Sequence, residues 1–376
     1  MKKREYFFFK NKPDRRPQCW KSSRIRLTNN MKPYEISNVD VAADCGCTLS
    51  STKEIFVQRM SFFAVVVISA LLLCCEVASA QLLGSLFGSQ RTPTLDEERA
   101  EFKTHLTRKE SANKPVPEPP ADVFRVVEYV SPVGKLAAYV TLDPKDGTKH
   151  PAIIWITGGD CNTIGDVWSD RPADNDQSAC AYRKAGIVMM FPSLRGGNQN
   201  PGFKEGFLGE IDDVLAAADF LAKQDFVDPK RIYLGGHSTG GTVAMLAAES
   251  SPRFRAVFSF GPVDTMSSYP PEILPFDPSP SLMESYYRSP THWMNSIQSP
   301  LFVIEGNKDP IEAINVDGMG ALCKNPLGHF YLVENADHFT VLAPVNKLLA
   351  ERIIQDNGPK LNIKITSEEL GSLFKK

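Results

Sequence analysis

The stretch Gly235-Gly236-His237-Ser238-Thr239-Gly240-Gly241 sets a serine in a G-x-S-x-G frame. It falls between Arg231-Ile232-Tyr233-Leu234, short and apolar like a strand, and Thr242–Glu249, a small-residue run that reads as a buried helix. A serine on so sharp a strand-to-helix turn is strained with its hydroxyl exposed, and the small residues two before and two after it relieve the crowding. Amides at the start of the helix then favour negative charge where the hydroxyl attacks. The residue types and spacing point to nucleophilic catalysis by Ser238.

A serine hydroxyl is a poor nucleophile near neutral pH unless a base takes its proton. Histidine has the pKa for that task. Of the six histidines, His105 precedes the strand-rich part, His150 leads into a strand, and His237 sits inside the turn. His292 lies in a helical or loop stretch and His329 opens a strand. His338, in Asn335-Ala336-Asp337-His338-Phe339, follows the last strand-like run by a short loop and is the expected base. An acid must fix the imidazole tautomer and stabilise its charged form. Asp309, in Glu305-Gly306-Asn307-Lys308-Asp309-Pro310, is the expected acid, with Asp264 of Gly261-Pro262-Val263-Asp264 as the alternative. The developing oxyanion needs two preorganised donors. The backbone N–H of Thr239 is one, and the loop Thr157-Gly158-Gly159-Asp160 offers Gly158 and Gly159 for the other.

These groups must be held by a framework. Strand-like runs recur near Val123–Val130, Lys135–Leu142, Ala152–Ile156, Gly186–Phe191, Arg231–Leu234, Ala256–Phe260, Leu301–Glu305 and His329–Val333. The first two suit an antiparallel hairpin. The later ones alternate with helical stretches at Leu208–Gln224, Thr239–Glu249 and Val341–Ile354. Fully apolar strands alternating with helices predict an α/β architecture: an eight-stranded, mostly parallel sheet with helices on both faces. Chemistry in such sheets gathers at the carboxyl ends of the strands. Eight strands, a serine turn after the fifth, and the order serine, acid, histidine match the α/β-hydrolase fold. Met266 to Tyr287 sits where a lid would lie, with Phe276, Tyr286 and Tyr287 as candidates for an apolar wall.

No C-x-x-C or H-E-x-x-H occurs, and Gly196-Gly197 lacks the spacing of a dinucleotide fingerprint, so neither metal nor cofactor is expected. Phe62 to Cys75 is an apolar stretch of 14 residues, followed by Ala78-Ser79-Ala80. A bilayer-spanning helix needs about 20 residues, so residues 60–80 are expected to be a cleaved signal peptide and the product to be exported, periplasmic or secreted. Residues 1–59 carry 13 Lys and Arg against 6 Asp and Glu without periodicity, and are expected to be an upstream extension that is not made, Met60 being the start. The remaining 296 residues hold 29 basic and 37 acidic side chains. That excess argues against nucleic acid and stable association with anionic membranes. Residues 81–120 form a polar, Pro-rich lead-in with one helix expected at Leu95–Arg108. Residues 121–356 form the catalytic domain and 357–376 a tail. Among Cys161, Cys180 and Cys323, the expected disulfide is Cys161–Cys180.

Four stretches carry a family resemblance. They are Gly209-Glu210-Ile211-Asp212-Asp213-Val214 through Val227-Asp228-Pro229-Lys230-Arg231 into the serine turn, Arg288-Ser289-Pro290, Glu305–Asp309, and Ala336-Asp337-His338-Phe339. Over roughly residues 121 to 356 the chain resembles the catalytic domain of the prolyl oligopeptidase family. That resemblance implies Ser238, Asp309 and His338 as the triad. Two departures stand out. Full members carry a β-propeller of several hundred residues, for which the roughly 40 residues ahead of the core leave no room. Thr157 also stands where related enzymes usually have the histidine of His-Gly-Gly. Propeller-less relatives include esterases and dienelactone-type hydrolases. The expectation is an exported serine hydrolase forming an acyl-enzyme on a small ester or short peptide-like amide. A carboxylesterase without peptidase activity, and a catalytically inactive binding module on the same fold, are the alternatives.

Overall fold

The computed structural model describes residues 93–278 and 282–375. The expected signal peptide and the segment before it lie outside them. The strands are β1 (Phe124–Ser131), β2 (Gly134–Thr141), β3 (His150–Ile156), β4 (Val188–Pro192), β5 (Val227–His237), β6 (Val257–Phe260), β7 (Leu301–Gly306) and β8 (Gly328–Val333). They form one sheet in the order β1-β2-β4-β3-β5-β6-β7-β8. β1 and β2 pair antiparallel, as do β2 and β4, and the remaining pairs are parallel. The eight-stranded, mostly parallel sheet expected from the apolar runs is thus present. The parallel run from β3 to β8 turns all its carboxyl ends to one edge.

The helices are α1 (Leu95–Arg99), α2 (Ala181–Lys184), α3 (Glu210–Ala222), α4 (Thr239–Ser250), α5 (Leu282–Arg288), α6 (Pro310–Leu322), α7 (Leu342–Gln355) and α8 (Ser367–Ser372). Alternate residues of each strand feed opposite cores, as the period of two requires. Ile154 and Ile156 of β3 join Val214 of α3 and Met245 of α4, whereas Ile153 and Trp155 join Tyr182 of α2 and Val345 of α7. Every residue of α4 is buried. That explains its composition of small and apolar residues, in which Glu249 is the one charged side chain.

Several expectations are corrected. The lead-in helix ends at Arg99, where Thr94 caps it through a reciprocal bond with Glu97. Beyond it the chain is drawn out along the domain: Thr107 and Arg108 N–H both donate to Pro275 O, and Ala112 N–H donates to Gly196 O. The final residues are packed as well, with Ile363, Ile365 and Leu370 buried in the core around α7. Cys161, Cys180 and Cys323 are all free, so the expected bridge is not formed. Cys161 Sγ faces Asn162 Oδ1 and Cys180 Sγ faces Asp176 Oδ2 instead. Within residues 266–287 Tyr286 lines a cavity of 780 Å³ together with Met266, Tyr269 and Met283. Phe276 and Tyr287 are buried in the core and do not line it.

Glu249, near the end of α4, is fully buried, and among the described residues neither carboxyl oxygen has a hydrogen-bond partner. Burial drives its pKa well above the carboxylate range. A carboxyl whose pKa is raised on folding destabilises the fold as pH climbs above its unfolded value. Glu249→Gln is therefore expected to stabilise the protein at pH 8 by about 1–3 kcal/mol and to gain much less at pH 4. Denaturant midpoints of the two proteins at both pH values check this, and an equal gain at both would contradict it.

Candidate active site

β5 runs into Ser238, which holds φ 55° and ψ −118° before α4 begins at Thr239. This region is costly for any residue with a Cβ and is kept only where the surroundings enforce it. The enforcement is visible: Ser238 N–H donates to Phe260 O at 2.8 Å, and its own carbonyl accepts from Thr242 N–H at 2.9 Å. The turn is so tight that a Cβ at Gly236 would strike Gly240 O, and one at Gly240 would strike Ile156 O. The half-buried Ser238 therefore leaves β5 as a nucleophile elbow at the carboxyl edge of the sheet.

His338 follows β8 at the same edge. Its Nδ1 lies 2.8 Å from Glu305 Oε2, at the end of β7. Glu305 is fully buried, and its other oxygen accepts from the Gly306 N–H at 2.6 Å. Burial alone would lower the His338 pKa, but the hydrogen bond and charge of Glu305 outweigh it and raise the pKa above the ordinary imidazole value. Glu312 Oε2 stands 3.4 Å from the same Nδ1. Burial pushes that carboxyl up to about 7, against the pull of His338. Glu305, Glu312 and His338 offer ligand atoms within 4.8 Å of one another. Their hydrogen bonding is that of a carboxylate-held histidine with a second carboxylate beside it.

The structure brings Ser238 and His338 to one place, since the ring of His237, next in chain to Ser238, packs against that of His338 with centroids 4.4 Å apart and a tilt of 44°. It does not bring Asp309 to the imidazole. Asp309 is the N-cap of α6, where its side chain accepts from Ile311 N–H at 3.1 Å and Pro310 fills the first helical position. Asp264, the alternative acid, accepts from Thr265 N–H and the Ser268 hydroxyl. The carboxylate on His338 is Glu305, which the local sequence pattern does not single out. Its signal was a lone charge closing the apolar run Leu301-Phe302-Val303-Ile304, where charged groups are seldom buried without a partner.

The backbone donors divide in two. Gly158 N–H is committed to Gln177 Oε1 at 3.0 Å. Among the described residues, neither Thr239 N–H nor Gly159 N–H has an intramolecular acceptor, and both residues line a cavity of 470 Å³ with Cys161, Lys204, Phe207 and Leu274. Among the described residues the Ser238 hydroxyl and His338 Nε2 also hold no intramolecular hydrogen bond; such contacts often tighten only when substrate binds.

Gly261, after β6, leaves room for the pair. A Cβ there would run into Glu305 Oε2 and His338 Cε1, and its φ of +54° disfavours any other residue. Gly261→Ala is expected to lower kcat about 100-fold by displacing the imidazole. A variant that keeps its melting temperature and loses less than threefold in kcat would contradict this placement.

Residues 175–314 match the model of the prolyl oligopeptidase family. Dipeptidyl-peptidase 5 of Porphyromonas gingivalis is 30% identical over 135 residues, 33% of this chain and 19% of that protein. The uncharacterized peptidase YtmA of Bacillus subtilis is 28% identical over 179 residues, 44% of this chain and 66% of its own. The similarity thus spans less than two-thirds of the length of these curated relatives. Among solved structures, Pyrococcus horikoshii acylaminoacyl peptidase superposes with a TM-score of 0.53 at 16% identity, covering 66% of this chain and 43% of that one. A Mycobacterium tuberculosis puromycin-hydrolyzing peptidase gives 0.50 at 19% identity, covering 66% and 42%. At such identities the likeness is one of fold.

An elbow serine and a carboxylate-held histidine at one edge of an eight-stranded sheet with the α/β-hydrolase fold are the arrangement that serine hydrolases use. Residues 175–314 are a prolyl oligopeptidase family domain, which encloses the elbow.

Proposed function

We propose that the protein cleaves a carboxylic ester or a short peptide-like amide through an acyl-enzyme on Ser238. Ser238 Oγ attacks the acyl carbonyl as His338 Nε2 takes its proton. Glu305 holds the Nδ1–H of His338 and offsets the charge that the imidazole gains. The N–H groups of Thr239 and Gly159 receive the oxyanion. His338 then returns the proton to the leaving group, and water repeats the sequence to free the acid. The observation that carries this reading is Ser238 strained at φ 55°, at the sheet edge where Glu305 fixes His338. The cavity of 470 Å³ beside Thr239 and Gly159 supports a small substrate.

One acyl group presented to the full chain as an activated ester and as an aminoacyl anilide, with Ser238→Ala as control, separates the substrate classes. Ser238-dependent turnover of both at comparable rates supports a peptidase. Turnover of the ester alone makes it a carboxylesterase. Turnover of neither leaves the inactive binding module. Export rests on the apolar segment before Ala78-Ser79-Ala80, and N-terminal sequencing of the released protein is expected to begin at Gln81.

A further inference from the structure

The loop from Thr157 to Cys180 leaves β3 beside the elbow, and Gln177, near its end, returns to its beginning. Gly158 N–H donates to Gln177 Oε1. That bond fixes the amide's orientation, so Gln177 Nε2 is the donor toward Asn175 Oδ1 at 2.9 Å and His237 Nδ1 at 2.7 Å. An Nδ1 that accepts carries no proton. The ring proton of His237 is therefore on Nε2, which donates to the backbone oxygen of His338 at 2.9 Å. Only one tautomer satisfies every bond. Burial, aided by the charge of His338, pushes the His237 pKa down to about 3, so this neutral form persists throughout the working range.

We propose that Gln177 and His237 are positioning residues that tie the oxyanion loop to the loop of the catalytic histidine. The chain of bonds runs from Gly158 N–H through Gln177 and His237 to the His338 carbonyl. It sets where Gly159 N–H and the His338 imidazole lie relative to each other and to Ser238. The inference rests on the proposed roles of Ser238 and His338. Gln177 is suited because one end of its amide accepts and the other donates. A carboxylate at that position still accepts from Gly158, but it meets the lone pair of His237 Nδ1. A leucine does neither. On the other ring nitrogen, His237→Gln keeps a donor for the His338 carbonyl, and His237→Leu does not.

The test measures kcat and KM of the full chain on an activated ester for Gln177→Leu, Gln177→Glu, His237→Gln and His237→Leu, with Ser238→Ala as control. Groups that act on the transition state lower kcat and leave KM nearly unchanged. The expected result is a fall in kcat of about 10- to 100-fold for both Gln177 variants, with KM within about twofold. His237→Gln is expected to retain several times the kcat of His237→Leu. Gln177→Glu is close to isosteric and carries the test where a leucine variant fails to fold. Wild-type kcat in folded Gln177→Glu, or a loss confined to KM, overturns the relay while an inactive Ser238→Ala leaves the catalytic reading standing. An active Ser238→Ala removes that reading and the relay with it.

Discussion

Glu305→Gln is expected to lower kcat/KM by about 100- to 10,000-fold, whereas Asp309→Asn stays within about threefold of wild type. The contrast follows from placement. Glu305 Oε2 is 2.8 Å from the His338 imidazole in a fully buried setting, so its charge acts with little screening. A neutral amide there loses that charge and fixes the wrong tautomer. Asp309 caps α6 instead, and asparagine is an equally good cap. The pH profile gives an independent readout. Only neutral His338 accepts the serine proton, so activity rises with pH through the His338 pKa, which Glu305 holds above the ordinary value. Removing the Glu305 charge is expected to move that acidic limb to lower pH even as the plateau falls. A plateau lost in Asp309→Asn but kept in Glu305→Gln would reverse the assignment of the acid.

Ser238→Ala is expected to lose about 10,000-fold or more in kcat with its fold intact. The hydroxyl has no intramolecular hydrogen bond among the described residues, so its removal leaves no orphaned partner. The strained backbone is held by the Phe260 and Thr242 contacts of the main chain, which alanine preserves. Unchanged circular dichroism and melting temperature with hydrolysis reduced to background is the expected outcome. Residual turnover above a few per cent would point to a different nucleophile.

How far the sequence could be read follows from what each residue type announces locally. The sheet was legible because its strands are buried on both faces and so appear as uninterrupted apolar runs. The placement of Ser238 and His338 at one edge of the sheet was legible because each follows such a run within a short loop. The carboxylate that faces His338 was not, because Asp309-Pro310-Ile311-Glu312 suits a catalytic loop and a helix start equally. An aspartate N-cap followed by proline at the first position is a helix signal. Gly318 and Gly320 weaken the helical pattern that would have revealed α6 behind it. Gln177 carried no local signal at all. Its role arises from a contact with His237, 60 positions away in the chain, and from the direction of a single amide. The free thiols have the same origin: Cys161 and Cys180 share a connection in sequence, yet each faces its own neighbour.

An acyl-enzyme on Ser238, formed with His338 as base, requires a serine that reacts covalently with an active-site-directed phosphonate. The full chain is treated with a fluorophosphonate, digested, and mapped by mass spectrometry beside its His338→Ala variant. A single phosphonyl adduct is expected on the peptide containing Ser238, and almost none in the variant. An adduct on another residue, or equal labelling without His338, would contradict that mechanism.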